Sequence, residues 1–168
     1  MTRARFLALA LVVLLLAAHR PAHALSGTVT LVTDGDTLWI RLDAGSGGAP
    51  EPRAFRLNGI DAPEICQPWG REAQAALEAR VLRRRVLLHG TATDDYRRGV
   101  ATLALDGEDI GAWMVAQGHA WNVKFRHKPG PYAAQQHAAR AARRGLFAQT
   151  DALEPRRFRK AHGSCRGR

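Results

Sequence analysis

The chain has 168 residues, with 25 Lys and Arg against 15 Asp and Glu, so its formal net charge is +10. Its 46% hydrophobic and 24% charged residues are ordinary for a globular domain, and they argue against a disordered chain, a collagen-like fibre or a polytopic membrane protein. Only 2 cysteines are present, which excludes a disulfide-dense miniprotein. The length suggests one domain that buries a real core.

The first 24 residues have the layout of a secretory signal peptide. Arg3 and Arg5 precede the apolar run 6–18, and the motif AHA follows at 22–24. A bilayer-spanning helix needs about 20 apolar residues, so this run is too short to span a membrane. We expect cleavage after Ala24, a secreted or periplasmic protein and no stable membrane insertion. An uncleaved membrane anchor is the alternative.

From residue 25, alternating apolar residues predict five strands, at Gly27–Val32, Thr37–Leu42, Arg53–Asn58, Val86–Thr91 and Val100–Leu105. In the first strand Val29 and Leu31 should share one face, and Gly35 should supply the positive φ of the next turn. Helical spacing predicts three helices, one after Gly70, one at Asp109–Gln117 and one from Pro131 to Arg144. This is an α+β pattern, and a small closed barrel with packed helices suits the strand spacing.

Positive charge is concentrated beyond this region. Residues 156–168 hold six basic residues and no acid, so we divide the mature chain into a domain at 25–150 and a basic C-terminal tail at 151–168. Such a tail can bind nucleic acid through phosphate contacts, or it can be a solvated end.

The two cysteines, Cys66 and Cys165, both remain after signal cleavage. An even pair in an oxidising compartment is a disulfide candidate, and this bond would tie the tail to the domain. Two separate thiols are the alternative.

Four acidic side chains lie at predicted strand ends rather than on solvated helices: Asp34, Asp36, Asp61 and Glu64. Turns at the rim of a barrel commonly carry functional groups. Carboxylates and backbone carbonyls are hard oxygen ligands that suit Ca²⁺ or Mg²⁺ rather than Zn²⁺. Each segment alone is also compatible with a plain turn or a helix-capping loop.

Arginines accompany these acids. Arg56 lies on the strand that leads to Asp61, and Arg97 and Arg98 lie in the turn DDYRRG. A guanidinium matches phosphate geometry bidentately. A metal, carboxylates and arginines together are what phosphodiester hydrolysis requires, so the combination points to that chemistry.

Four motifs follow one another in a fixed order: TDGDT at 33–37, FRLNGIDAPE at 55–64, G-x-E-A at 70–73 and DDYRRG at 94–99. Segments 104–120 and 142–147 add weaker support. Together they resemble the staphylococcal nuclease (thermonuclease) family over roughly residues 27–150. The resemblance implies a five-stranded OB-type β-barrel with three helices.

The resemblance also implies a metal site and a catalytic set. Ca²⁺ would be bound by Asp36, Asp61 and the backbone carbonyl of Ala62, with Asp34 supporting it from the outer shell. The catalytic groups would be Glu64, as general base or water-orienting group, and two phosphate-binding arginines, Arg56 and Arg98. The substrate-binding residues would be Tyr96, which approaches the nucleotide's phosphate, and Arg97, which replaces a usual glycine and either reshapes the turn or adds a phosphate contact.

The function implied is that of an exported, monomeric, calcium-dependent endonuclease that cleaves DNA and RNA with little sequence preference. Single strands would be favoured, and the products would carry 3′-phosphates. The alternative is a non-catalytic OB-fold module that binds single-stranded nucleic acid through a basic groove and stacked aromatic residues. A pure binder does not need this full set of carboxylates and arginines. A structural or protein-interaction domain of the envelope is a third, less motivated reading.

Overall fold

The computed structural model describes residues 25–46, 51–124 and 128–165. The predicted signal peptide lies outside these residues. Within them, none of the helices has the length and the apolar composition that a membrane crossing demands.

Eight strands occur in the described residues: β1 (Leu25–Val32), β2 (Thr37–Leu42), β3 (Arg53–Leu57), β4 (Ile60–Asp61), β5 (Arg85–Thr93), β6 (Gly99–Leu105), β7 (Glu108–Asp109) and β8 (Trp121–Asn122). Antiparallel pairing gives the order β3-β2-β1-β5-β6, and parallel pairing of β3 with β6 closes the barrel. Strand β7 extends β6, and β4 pairs with β8 in a separate ladder. The expected five-stranded OB-type barrel and its α+β class are confirmed.

The same part of the chain has four helices: α1 (Gly70–Val81), α2 (Ile110–Ala116), α3 (Ala133–Ala141) and α4 (Pro155–His162). The first three correspond to the predicted helices, although α3 is shorter than expected at both ends. The fourth was not predicted, because its residues were assigned to the basic tail. Pro155 stands in the first turn of α4, where its fixed φ and missing N–H are tolerated.

The core lies inside the barrel and under α1. Ala73, Leu77 and Val81 recur at four-residue spacing on α1, and all three are fully buried. Leu38 and Ile40 of β2 are buried from the other side in the same cluster. Each fully buried Leu, Ile or Val contributes about 1.5–3 kcal/mol, so this cluster holds α1 and the loop before it against the barrel.

One strand prediction was wrong in its facing. Val29 is fully buried, but Leu31 is 53% exposed and Val32 is buried instead. The register between β1 and β2 shifts between Val29 and Leu31. A bulge of this kind interrupts the alternation of inward and outward side chains, so the inward face moves by one residue.

Gly35 serves a different purpose from the one predicted. It is absent from the glycines with positive φ among the described residues. A Cβ at this position would lie 2.7 Å from the Cβ of Ala62 and 2.8 Å from that of Ala73. The turn after β1 therefore needs glycine because it packs directly against the loop after β4 and against α1.

Candidate active site

Asp36 is a buried carboxylate directly before β2. It is 4% exposed. Its Oδ1 accepts a hydrogen bond from the Thr37 hydroxyl at 3.0 Å, and its Oδ2 accepts one from the Ala62 N–H at 3.0 Å. Burial raises the pKa of Asp36 to about 7, while Arg56 opposes the increase and the charge of Asp34 adds to it. A cation bound beside Asp36 would therefore favour its charged form.

Asp36 and Asp61 converge on one positively charged atom. The Nη2 of Arg56 lies 2.8 Å from Asp36 Oδ2 and 2.6 Å from Asp61 Oδ1. Strand β3 carries the arginine, and β4 carries Asp61 beside it. Two carboxylates around one cationic position are the start of a hard-metal site, so this donor set fits Ca²⁺ or Mg²⁺.

The carboxylate, imidazole and thiol groups of the described residues do not by themselves complete a metal shell. Across residues 25–46, 51–124 and 128–165, no three His, Cys, Asp or Glu side chains form a group that could hold a metal. Ca²⁺ takes about six to eight oxygens, so backbone carbonyls and water would supply most of them. Asp34 accepts the N–H of Asp36 at 3.0 Å, which shapes the turn beside the carboxylate pair. The Ala62 N–H faces Asp36, as described above, and the carbonyl ligand role of Ala62 stays a prediction.

Glu64 lies on the loop between β4 and α1. Its N–H donates to the side-chain oxygen of Gln67 at 3.2 Å, and its backbone oxygen accepts the N–H of Gln67 at 2.8 Å. Its carboxylate Oε1 accepts from Nη1 of Arg159 at 2.8 Å. The loop thus holds Glu64 in place beside Asp61, and an arginine from α4 contacts both carboxylates.

Arg98 directly precedes β6 and is oriented by two neighbours. Its Nε donates to Asp94 Oδ2 at 2.9 Å, and its Nη1 donates to the Thr37 hydroxyl at 3.2 Å. Because the same hydroxyl donates to Asp36, Thr37 links the phosphate-binding candidate to the carboxylate pair. Burial raises the pKa of Asp94, but hydrogen bonds from Arg98 outweigh it and hold this pKa below its ordinary value.

The two predicted substrate-binding residues have different surroundings. Tyr96 is 76% exposed, and its ring lies 5.4 Å from the guanidinium carbon of Arg98. Arg97 points to solvent and does not line the cleft described below. Its φ of 64° is left-handed, so it keeps the backbone conformation that a glycine would adopt in this turn.

Most of the predicted site residues line one cleft of about 440 Å³, namely Asp34, Asp36, Arg56, Ala62, Glu64, Tyr96 and Arg98. Asp61 contacts two of the arginines that line this cleft, Arg56 and Arg159. Carboxylates and guanidinium groups therefore line the same cleft. Such a cleft can bind a phosphodiester, hold a cation against it and accept a proton from water.

Sequence reasoning missed three contributors, Thr37, Gln67 and Arg159. Thr37 was visible as the last residue of TDGDT, but only its burial between two charged groups reveals its role. Gln67 and Arg159 act through contacts with residues distant in the chain. The Pro155 at the start of α4 was a usable helix signal, although nothing local indicates which arginine of that helix faces the cleft.

The structure joins Cys66 to Cys165 in a disulfide with an S–S distance of 2.01 Å. The bond links the loop after Glu64 to the segment that follows α4. The segment predicted as a tail is therefore fastened beside the cleft.

Comparison with known proteins agrees with this geometry. A family model described as staphylococcal nuclease homologue matches residues 54–149, more than half of the chain. The chain is 36% identical over 172 residues to Protein ParB of Escherichia coli, and the match covers 95% of this chain and 92% of that protein. It is 34% identical over 133 residues to an uncharacterized endonuclease of Haemophilus influenzae, with 79% of this chain and 71% of that protein covered.

A plant relative is much longer than this chain. The probable staphylococcal-like nuclease CAN4 of Oryza sativa subsp. japonica is 39% identical over 106 residues, which covers 63% of this chain but only 21% of the rice protein. On the family match, and on relatives that align over most of its length, the chain belongs to the staphylococcal nuclease family.

Proposed function

We propose that the protein is a calcium-dependent nuclease that hydrolyses phosphodiester bonds in DNA and RNA with little sequence preference. One observation carries the proposal: Asp36 and Asp61 converge on a cationic position in a cleft that also holds Glu64 and Arg98. The names of several relatives as nucleases or endonucleases support it. Cleavage is endonucleolytic, leaves 3′-phosphates and favours single strands.

The chain's own residues divide the chemistry between them. Arg56 and Arg98 bind the non-bridging oxygens of the scissile phosphate and stabilise the charge that develops there. Glu64 orients the attacking water and accepts its proton. Asp36 and Asp61 would hold Ca²⁺, which would supply Lewis-acid polarisation of the phosphoryl oxygen when bound. Thr37 keeps Arg98 aligned with the carboxylate pair through its hydroxyl.

We also propose export to an oxidising compartment. The signal-like N-terminus motivated this expectation, and the Cys66–Cys165 disulfide supports it, because such bonds persist in secreted and periplasmic proteins. The protein acts there as a monomer.

The test is hydrolysis of labelled single-stranded DNA, duplex DNA and RNA by the purified protein in calcium, magnesium or chelator. The decisive variant is Glu64→Gln, which keeps the side-chain shape but removes the proton acceptor. We expect a loss of about 10²–10⁴-fold in kcat. Glu72→Gln, at an exposed acid in the first turn of α1, is the matched control and should keep wild-type activity.

Three outcomes would each contradict part of this proposal. Activity of Glu64→Gln within about ten-fold of wild type would remove Glu64 from the proton-transfer role. No hydrolysis in any metal, with DNA still retarded in a gel, would identify a binding module in which Arg56 and Arg98 are phosphate anchors. Hydrolysis in magnesium but not calcium would overturn the cofactor proposal alone.

A further inference from the structure

Arg159 of α4 contacts the carboxylates of the candidate active site. Its Nη2 lies 3.1 Å from Asp61 Oδ2, and its Nη1 lies 2.8 Å from Glu64 Oε1 and 3.3 Å from Asp61 Oδ1. The side chain is 34% exposed and lines the same cleft as Arg56 and Arg98. A third guanidinium therefore stands at the point where the phosphodiester must bind.

The fold holds Arg159 at this place from both sides of its helix. Before α4, the Leu153 carbonyl accepts a hydrogen bond from Gln67 at 2.6 Å. After α4, Cys165 is bonded to Cys66, and its sulfur also accepts the Cys66 N–H at 3.1 Å. Cys66 and Gln67 are neighbours on the loop that carries Glu64, so the helix and this loop form one unit.

Arg159 is also distinct from the other basic residues of its helix. Arg156, Arg157 and Lys160 are exposed and do not line the cleft. Burial lowers the pKa of Arg159, but the hydrogen bonds that it donates to Asp61 and Glu64 outweigh this effect and raise the pKa above its ordinary value. The guanidinium is therefore charged at every pH at which the protein is folded.

The hydrogen bonds from Arg159 to Asp61 occupy carboxylate oxygens that a bound cation would also need. Arg159 reaches both oxygens of this carboxylate, while Arg56 reaches one of them. A cation bound to Asp61 competes with Arg159 for these oxygens and repels its positive charge, so cation binding favours the release of Arg159 from Asp61. Its guanidinium then remains beside the cleft without that partner, and a phosphate oxygen is the anion that the cleft is built to receive.

We propose that Arg159 is a third phosphate-binding residue of this site, which pairs with Asp61 and Glu64 in the free protein and turns to the nucleic-acid backbone when a divalent cation is bound. The inference rests on the proposed function. It assigns the C-terminal helix, fastened by the disulfide, to the substrate site rather than to a solvated tail.

The test compares three variants of the full chain. Arg159→Ala removes the guanidinium, and Arg159→Lys keeps the charge without the bidentate geometry. Arg157→Ala is the matched control, because it removes the same charge from an exposed position on the same helix. Comparison with Arg157→Ala corrects for any loss of thermal stability that follows from removing a positive charge from this helix.

Calcium affinity, measured by calorimetry without nucleic acid, is the first readout. Because Arg159 competes for Asp61, Arg159→Ala should bind calcium about two- to five-fold more tightly than Arg157→Ala, the range of a partly exposed ion pair. Calcium affinities of the two variants that agree within error would overturn the counter-ion part of the proposal.

Hydrolysis of single-stranded DNA in calcium is the second readout. Arg159→Ala should raise KM by about ten-fold with a smaller change in kcat, as expected for one lost charge-assisted phosphate contact. Arg159→Lys should recover part of this loss, and Arg157→Ala should stay within about two-fold of wild type. A KM equal to that of Arg157→Ala, or a higher kcat/KM, would overturn the proposal; the latter would mean that Arg159 obstructs the site.

Binding of a fluorescent single-stranded oligonucleotide separates this inference from the proposed function. If the wild type hydrolyses nothing, the nuclease proposal fails, but anisotropy can still be measured in calcium and in chelator. Arg159→Ala should bind more weakly than Arg157→Ala in calcium, and the two should agree in chelator, where Arg159 remains paired with the carboxylates. Equal binding in both conditions would reject Arg159 as a phosphate ligand.

Discussion

The buried carboxylate of Asp36 should make the metal-free protein more stable when its charge is removed. Its Oδ2 is shared between Arg56 and the Ala62 N–H, yet burial raises its pKa from 3.8 to about 7. The folded state therefore keeps a proton that the unfolded state releases. Between pH 4 and pH 7 the unfolded state binds fewer protons, so the free energy of unfolding decreases as the pH rises.

The size of this effect follows from the two pKa values. The difference between 3.8 and about 7 corresponds to about 4 kcal/mol of stability, which is fully present below pH 4 and lost by pH 7. Asp36→Asn cannot ionise, so it should gain about 4 kcal/mol relative to wild type across this interval. Thr37 and Ala62 donate to different oxygens of Asp36, whereas the amide of the variant has only one acceptor oxygen. The lost hydrogen bond lowers the free energy of unfolding of the variant by the same amount at every pH.

Urea unfolding followed by tryptophan fluorescence in chelator, from pH 4 to pH 8, measures the difference between variant and wild type. Asp95→Asn, an exposed carboxylate in the β5–β6 turn, is the control for removal of a negative charge. The free energy of unfolding of Asp36→Asn minus that of wild type should increase from pH 4 to pH 7. A value that stays constant or decreases over this interval would refute the conclusion that burial dominates the pKa of Asp36. Added calcium should stabilise wild type more than Asp36→Asn, because a charged carboxylate binds the cation more strongly than a neutral amide oxygen does.

Three further changes test the scaffold. Replacing Cys66 and Cys165 by serine opens a loop of about 100 residues and should lower the free energy of unfolding by about 4–5 kcal/mol, a loss that reduction of wild type should reproduce in urea melts. Arg97→Gly relieves a left-handed φ and should raise that free energy by about 1 kcal/mol with activity retained; lower stability would contradict the strain argument. Gly35→Ala should cost about 1–3 kcal/mol by overpacking, whereas a Cβ on Gly45 meets no atom within 4 Å, so Gly45→Ala should be nearly neutral in thermal melts.

The local sequence determined the barrel, three of the helices and the positions of the acidic and basic motifs. Alternation placed Leu38, Ile40 and Leu42 on one face of β2, and helical spacing placed Ala73 and Leu77 against the core, because these periodicities follow from backbone geometry alone. The order and spacing of the motifs also identified the family. The motifs lie at strand ends, so the lengths of the strands set the distances between them along the chain.

Only the tertiary structure decided which groups meet. The bulge in β1 exposes Leu31 because strand pairing, rather than alternation, sets the register there. Arg159 contacts Asp61 across 98 positions of the chain, and Cys66 bonds to Cys165 across 99. Local patterns predict that a run of basic residues is charged and solvated, but a guanidinium takes its partner from whichever carboxylate the folded backbone brings within hydrogen-bonding distance.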